Sequence, residues 1–202
     1  MLIPSILGFN MPTTPEKAAL HSVAKEARHA LRGDERKRAT LAVTERAVLR
    51  LTETKGLIGL YEPFGDELHP GLLMEGLAVS GRTLALPCTS KWNHPLIFRA
   101  WAIGEPLVKG RMNIPEPQPD APEVWPDVLV VPPVAFDRRC FRIGYGAGFY
   151  DRTIPALRSI HPVFVLGVAF SCQEVEVVPD EPHDVPLDLI ATERGLIIAS
   201  ST

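Results

Sequence analysis

The chain has 202 residues and a mass of 22.2 kDa, the size of one domain with a full hydrophobic core. Its 46% apolar and 22% charged residues exclude general disorder, and 21 basic against 24 acidic residues give no electrostatic case for a nucleic-acid or membrane-surface partner. Cys88, Cys140 and Cys172 stand too far apart for a CxxC redox or zinc pattern, and the longest apolar run, Val128 to Phe136, falls far short of the roughly 20 residues that span a bilayer, so a reducing, cytoplasmic setting is expected.

Residues 1–12 open with an apolar stretch broken by Pro4, with no basic residue ahead of it and no small-residue cleavage site, and read as a mobile or docking arm. Residues 13–202 then read as a single domain. A threonine cap at Thr13 or Thr14, Pro15 in the first turn and Glu16 beside the positive end of the dipole start a helix. Its apolar stripe is Leu20, Val23, Ala24, Ala27 and Leu31, and Gly33 ends it. A second helix covers Arg38 to Thr54. Leu57–Tyr61 is a short buried strand, followed by the turn Glu62-Pro-Phe-Gly-Asp66, a helix ending near Gly81, and a strand from Thr83 to Leu86. The 20 prolines are about twice the usual share, and half of them lie between Pro87 and Pro133. They leave weak periodicity over residues 87–126, with one strand at Leu96–Trp101.

Val128–Val131 is a continuous β-branched run, the pattern of a strand covered on both faces. A glycine-bearing loop, a helix from Phe149 to Arg158 and a strand from Val163 to Val168 follow, and Leu187–Ile198 holds one or two short strands. This β-loop-α-β order predicts an α/β fold, a single three-layer domain with a mainly parallel central sheet flanked by helices.

The loop Arg142-Ile-Gly-Tyr-Gly-Ala-Gly-Phe-Tyr-Asp151 carries the strongest chemical signal. Glycines at 144, 146 and 148 let backbone amides turn toward an anion at the start of a helix. The pattern is neither a P-loop nor a dinucleotide GxGxxG, so phosphate binding and a merely tight turn both remain open. Arg142 would be a phosphate counter-charge; Asp151 is either a magnesium ligand or a helix cap.

The stretch Pro132-Pro-Val-Ala-Phe-Asp137, with Arg142 through Arg152, resembles the nucleotide loop of the 5-formyltetrahydrofolate cyclo-ligase (methenyltetrahydrofolate synthetase) family. Lys17–Leu31 is similar to that family's N-terminal helix, Tyr61–Glu67 to its strand-turn with a substrate glutamate, and Pro179–Glu193 to its His-Asp tail. The resemblance implies an enzyme, a ligase of one-carbon metabolism that uses ATP and Mg2+. It would convert 5-formyltetrahydrofolate, with or without a polyglutamate tail, to 5,10-methenyltetrahydrofolate, ADP and phosphate. The formyl oxygen would take the γ-phosphoryl group, N10 would attack the activated carbon, and phosphate would leave. Such chemistry needs two anionic ligands held in line.

Carried over from the resemblance, Lys17, Arg142 and Tyr150 are the catalytic candidates. ATP would meet Lys17, His21, Arg142, Ile143, Gly144, Tyr145, Gly146, Ala147, Gly148, Phe149 and Tyr150. The folate would meet Glu62, Glu67 and Tyr150, and Asp151 and Asp184 would hold the metal. Trp92 and Trp101 would either stack on the pterin ring or pack in core or loop. The plain readings stay open beside the others too: a solvated Lys17, a helix-starting Glu67 and a capped turn at His183-Asp184. A monomer without nucleic-acid or membrane partners is expected. Two departures stand out, His21 where the family usually has arginine and Cys140 where it usually has glycine. They motivate the alternative of a non-catalytic paralogue that binds nucleotide or folate. A sugar-phosphate or acyl-transfer enzyme on a similar sheet would need an activated nucleophile, and no GxSxG supplies one.

Overall fold

The structure is a computed structural model that describes residues 14–89 and 91–199; the arm expected at residues 1–12 lies outside them. Its helices are α1 (Pro15–Ala30), α2 (Gly33–Thr52), α3 (Gly71–Val79) and α4 (Phe149–Arg158). The strands are β1 (Ile58–Gly59), β2 (Leu84–Cys88), β3 (Ile97–Trp101), β4 (Leu107–Lys109), β5 (Pro115–Pro117) and β6 (Glu123–Val124), then β7 (Val128–Val131), β8 (Ala135–Phe136), β9 (Arg142–Ile143), β10 (Phe164–Val168), β11 (Leu189–Thr192) and β12 (Gly195–Ile198). Among the described residues, no helix is long and apolar enough to cross a membrane.

Eight strands form one sheet in the order β12-β11-β10-β7-β1-β2-β3-β6, and β4-β5 and β8-β9 are separate hairpins. The five inner strands from β11 to β2 run parallel, β12 and β3 run against them, and the edge strand β6 pairs antiparallel with β3, so the sheet is mixed with a parallel centre. The β7 run explains the layering. Val128 and Val130 face a core with Val43, Ala47 and Leu51 of α2 and Leu73 and Leu77 of α3. Leu129 and Val131 face the opposite core with Ile154 and Leu157 of α4. Full burial of each such side chain contributes about 1.5–3 kcal/mol, which is why the run is continuous rather than alternating. From β1 the chain steps to β2 on one side and later to β7 on the other. That reversal opens a crevice at the strands' carboxyl ends, where ligands bind in open α/β sheets.

Thr14 caps α1 by accepting from Lys17 N at 3.2 Å, with Pro15 in the first turn, as the sequence requires. The inward face of α1 differs from the expected apolar stripe. Val23 is exposed, and the buried residues are Lys17, Ala24 and Arg28. Gly33 does not close α1; it opens α2, which begins five residues before the expected Arg38. Within 87–126 the strand at 97–101 is present, but β4, β5 and β6 carry too few apolar residues to be read beforehand. The β4-β5 connection turns through two adjacent left-handed residues, Met112 (φ 64°) and Asn113 (φ 62°).

Cys140 has φ 64° in the β8-β9 connection, a left-handed conformation that favours glycine. Its buried thiol lies 3.6 Å from Ile197 O and compensates part of the backbone penalty. Cys140→Ala should destabilise the protein by about 1–2 kcal/mol, losing the sulfur while keeping the strain. Cys140→Gly should stay within about 1 kcal/mol of wild type, because relief of the left-handed strain offsets the lost packing. Denaturant midpoints of the three proteins decide it; an alanine variant more stable than the glycine variant would contradict this account.

Candidate active site

A cavity of about 220 Å3 occupies the crevice. Every residue from Arg142 to Asp151 lines it, so the whole anion loop forms one wall. Gly146 (φ 84°) and Gly148 (φ 62°) have the left-handed backbone that bends this loop into α4, and Gly148 is the cap residue of the helix. The first-turn amides of α4 have no partners within the helix, and its dipole adds partial positive charge at the same wall. Facing the loop are Tyr61, Glu62, Phe64 and Glu67 after β1, Pro87 and Thr89 at the end of β2, and Met112, Ile114 and Glu116 of the β4-β5 hairpin.

Lys17 and Arg142 are the two strong cations of the lining, and both are buried. Lys17 Nζ contacts Asp184 Oδ2 at 2.5 Å and Glu181 Oε2 at 2.8 Å, so it is not a solvated surface lysine. Burial alone would lower its pKa, but hydrogen bonds and charge from Asp184 and Glu181 outweigh that and raise it. Arg142 Nη2 contacts Asp151 Oδ1 at 2.6 Å, and its other terminal nitrogen donates to Val185 O. Asp151 is therefore the partner of a buried arginine rather than a helix cap. Asp184, Glu181 and His183 bring ligand atoms within 4.8 Å of one another. Asp151 and Asp184 both line the cavity, although Asp151 is not in that cluster.

Glu67 is only 7% exposed and accepts a hydrogen bond from Phe64 N at 2.8 Å. Burial raises its pKa to about 7 against the opposing pull of that hydrogen bond and of Arg28. The turn continues without helix to α3 at Gly71, so Glu67 does not start a helix. Burial also raises the pKa of Glu62. Burial and the nearby Glu67 charge push the Tyr150 phenol up, which keeps it neutral.

Two expected residues sit differently. His21 is not among the cavity-lining side chains; its ring meets the edge of Tyr145 with centroids 5.8 Å apart. Desolvation lowers its pKa, with Lys25 and Arg28 adding to the shift. Trp101 belongs to a different groove and donates to Glu105 O, whereas Trp92 stacks on the lining residue Phe149 at 5.9 Å.

The sequence reading missed the charged residues behind the lining. Arg28 is 1% exposed, pairs with Asp66, and donates to Tyr145 Oη at 2.6 Å. It lies eleven positions after Lys17, so helical spacing puts both on one face; that is the available signal. Arg36 holds Asp66 O at 2.5 Å and Glu67 O at 3.1 Å. Asp137, fully buried, accepts from Arg139 N, Phe141 N and Val178 N and so fixes the approach to Glu181 and Asp184.

Comparison with known proteins identifies relatives of the whole chain. A 5-formyltetrahydrofolate cyclo-ligase of Haemophilus influenzae is 31% identical over 182 residues, covering 86% of this chain and 96% of that protein. One from Escherichia coli K12 is 35% identical over 140 residues, covering 67% and 76%. The solved 5,10-methenyltetrahydrofolate synthetase of Mycoplasma pneumoniae superposes with a TM-score of 0.70 at 25% identity, covering 88% of this chain and 99% of that one. That of Aquifex aeolicus gives 0.73 at 26% identity, covering 92% and 94%. A sequence model of the 5-formyltetrahydrofolate cyclo-ligase family matches residues 13–193, and the chain belongs to that family.

Proposed function

We propose that the protein converts 5-formyltetrahydrofolate to 5,10-methenyltetrahydrofolate at the expense of ATP, with ADP and phosphate released. The observation that carries this reading is the single cavity in which the continuous loop 142–151 faces the buried carboxylate of Glu67. One wall suits phosphates and the other suits a heterocycle rich in N–H donors, so the formyl oxygen and the γ-phosphoryl group would meet between them. Phosphorylation turns a poor leaving oxygen into phosphate, and attack by N10 then closes the ring. Tyr150, a neutral residue of the lining, would donate a hydrogen bond to the reacting oxygens.

The cavity lining holds Glu62, Glu67, Glu116, Asp151 and Asp184 against Lys17 and Arg142. A nucleotide polyanion entering so acidic a site needs a divalent cation, and hard carboxylate oxygens suit Mg2+. Asp151 and Asp184 are the groups that would hold it. When bound, the ion neutralises the charge on the phosphates. Lys17 and Arg142, each paired with one of those carboxylates, would then turn their charge to the phosphates. All three cysteines are free thiols, in keeping with a cytoplasmic enzyme. Purified protein, MgATP and 5-formyltetrahydrofolate should produce the absorbance of the methenyl product. Ligand binding without that absorbance would favour the non-catalytic paralogue.

His21 adds a second expectation. Because its pKa is depressed, it is largely neutral near pH 7 in the free protein and lends phosphate little charge. His21→Arg should tighten ATP about three- to tenfold at pH 8 and weaken the dependence on pH, a gain of up to one charge-assisted contact. ATP affinity of both proteins at pH 6 and pH 8, with magnesium fixed, is the measurement. A substitution that changes affinity at neither pH would remove residue 21 from the nucleotide site.

A further inference from the structure

The anion loop and the folate-side turn are joined by a side chain that their separate roles do not require. Tyr145 leaves the middle of the glycine loop and reaches across to α1 and to the turn after β1. Its hydroxyl accepts from Arg28 Nη2 at 2.6 Å and donates to Phe64 O at 3.3 Å. Its ring meets that of Phe64 edge-on, with centroids 5.1 Å apart. The peptide N–H of the same Phe64 holds Glu67 Oε2 at 2.8 Å. The path from loop to substrate carboxylate therefore runs Tyr145, Phe64, Glu67, with no gap longer than a hydrogen bond. Arg28 closes it from behind through Asp66, whose backbone carbonyl is also held by Arg36.

We infer that the Tyr145 hydroxyl, held by Arg28, is the positioning group that couples nucleotide binding at the glycine loop to folate binding at the Glu67 turn. The residues around it fit that role. Gly144, Gly146 and Gly148 leave the loop with large backbone freedom, which a bound nucleotide must restrict. Tyr145 passes this restriction to Phe64, so the first ligand meets an ordering cost that the second no longer faces, and binding of the two becomes mutually favourable. By linkage the effect is reciprocal: folate tightens the nucleotide by the same factor. Burial raises the Tyr145 pKa despite Arg28, so the phenol stays protonated and can accept and donate at once. For a reaction in which ATP must not be spent on water, such coupling favours occupation of both subsites together.

This inference rests on the cyclo-ligase reading of the cavity, and the experiment separates the two. Affinity for a non-hydrolysable ATP analogue with Mg2+ is measured calorimetrically with and without saturating 5-formyltetrahydrofolate. Wild type, Tyr145→Phe and Arg28→Lys are compared. Tyr145→Phe removes one oxygen and keeps the ring, and Arg28→Lys keeps the charge on a shorter side chain whose nitrogen does not reach the position from which Arg28 Nη2 serves both Asp66 and Tyr145. Wild type should show at least about fivefold tightening by the folate. Tyr145→Phe should bring that factor near one while each ligand alone still binds, and Arg28→Lys should give an intermediate factor. A merely structural role would weaken both ligands and leave the ratio intact. An unchanged factor in Tyr145→Phe overturns the coupling role alone; a wild-type protein that binds neither ligand overturns the cyclo-ligase reading and the coupling with it.

Discussion

Asp151→Asn should lower turnover by at least about 100-fold while leaving the fold intact. Removing one group that stabilises transferring charge typically has that effect, and the asparagine cannot supply the anionic oxygen that a divalent cation requires. The structure sharpens this expectation, because Asp151 already has a role as the 2.6 Å partner of Arg142. An amide oxygen can still accept from Arg142, but the Arg142 side chain is only 5% exposed, so the lost charge costs about 1–3 kcal/mol rather than the fold. For a domain of this size each kcal/mol is a shift in melting temperature of about 2–4 °C. Turnover and thermal melting measured on the same preparation therefore separate the roles. Turnover close to wild type at saturating magnesium would leave Asp151 as a counter-ion of Arg142 and nothing more.

Glu67→Gln should be a more stable and less competent protein. The folded pKa of Glu67 is about 7, against roughly 4.3 for an exposed glutamate. Between those values the unfolded chain gives up its proton while the folded one keeps it, so this group lowers stability as pH rises from about 4.3 to 7. Above pH 7 the whole penalty of a buried carboxylate is present. Glutamine, which mimics the protonated form and can keep the bond from Phe64 N, carries none of it. The variant should match wild type near pH 4 and exceed it by about 1–3 kcal/mol at pH 8. Folate should meanwhile bind about 10- to 150-fold more weakly, the loss of about 1.5–3 kcal/mol for a charge-assisted hydrogen bond, with ATP little changed. Denaturation at several pH values and calorimetry with both ligands test the two halves. Parallel stability–pH curves for wild type and variant would mean that Glu67 does not carry the burial penalty.

The loop and the parallel centre of the sheet were legible because their signals are local. Gly148 marks the turn into α4, whose span of Phe149 to Arg158 matches the expectation, and Val128–Val131 has no polar residue to suggest an exposed face. The face of α1 was misread for the opposite reason. Hydrophobic periodicity finds apolar residues, and this helix buries Lys17 and Arg28 while exposing Val23. The β4-β5 hairpin was hidden because its turn places Met112 and Asn113, rather than glycine, in left-handed backbone. Arg28, Asp66 and Asp137 were invisible because their importance lies in partners distant along the chain, which spacing does not reveal. His21 could be placed on the right helix, but not given its neighbour Tyr145, for the same reason.

The pairing of Lys17 with Asp184 joins positions 167 residues apart in the sequence. One consequence concerns synthesis. During translation the helix carrying Lys17 is made early, and its two carboxylates emerge only when nearly all of the sheet has been made. Closure of so long a loop is a late folding event, and contacts of this range slow folding. In a nascent chain ending before Glu181 the lysine has neither of these two partners. The ion pairing that buries Lys17 is thereby a late step of assembly, which follows synthesis of the segment carrying Glu181 and Asp184.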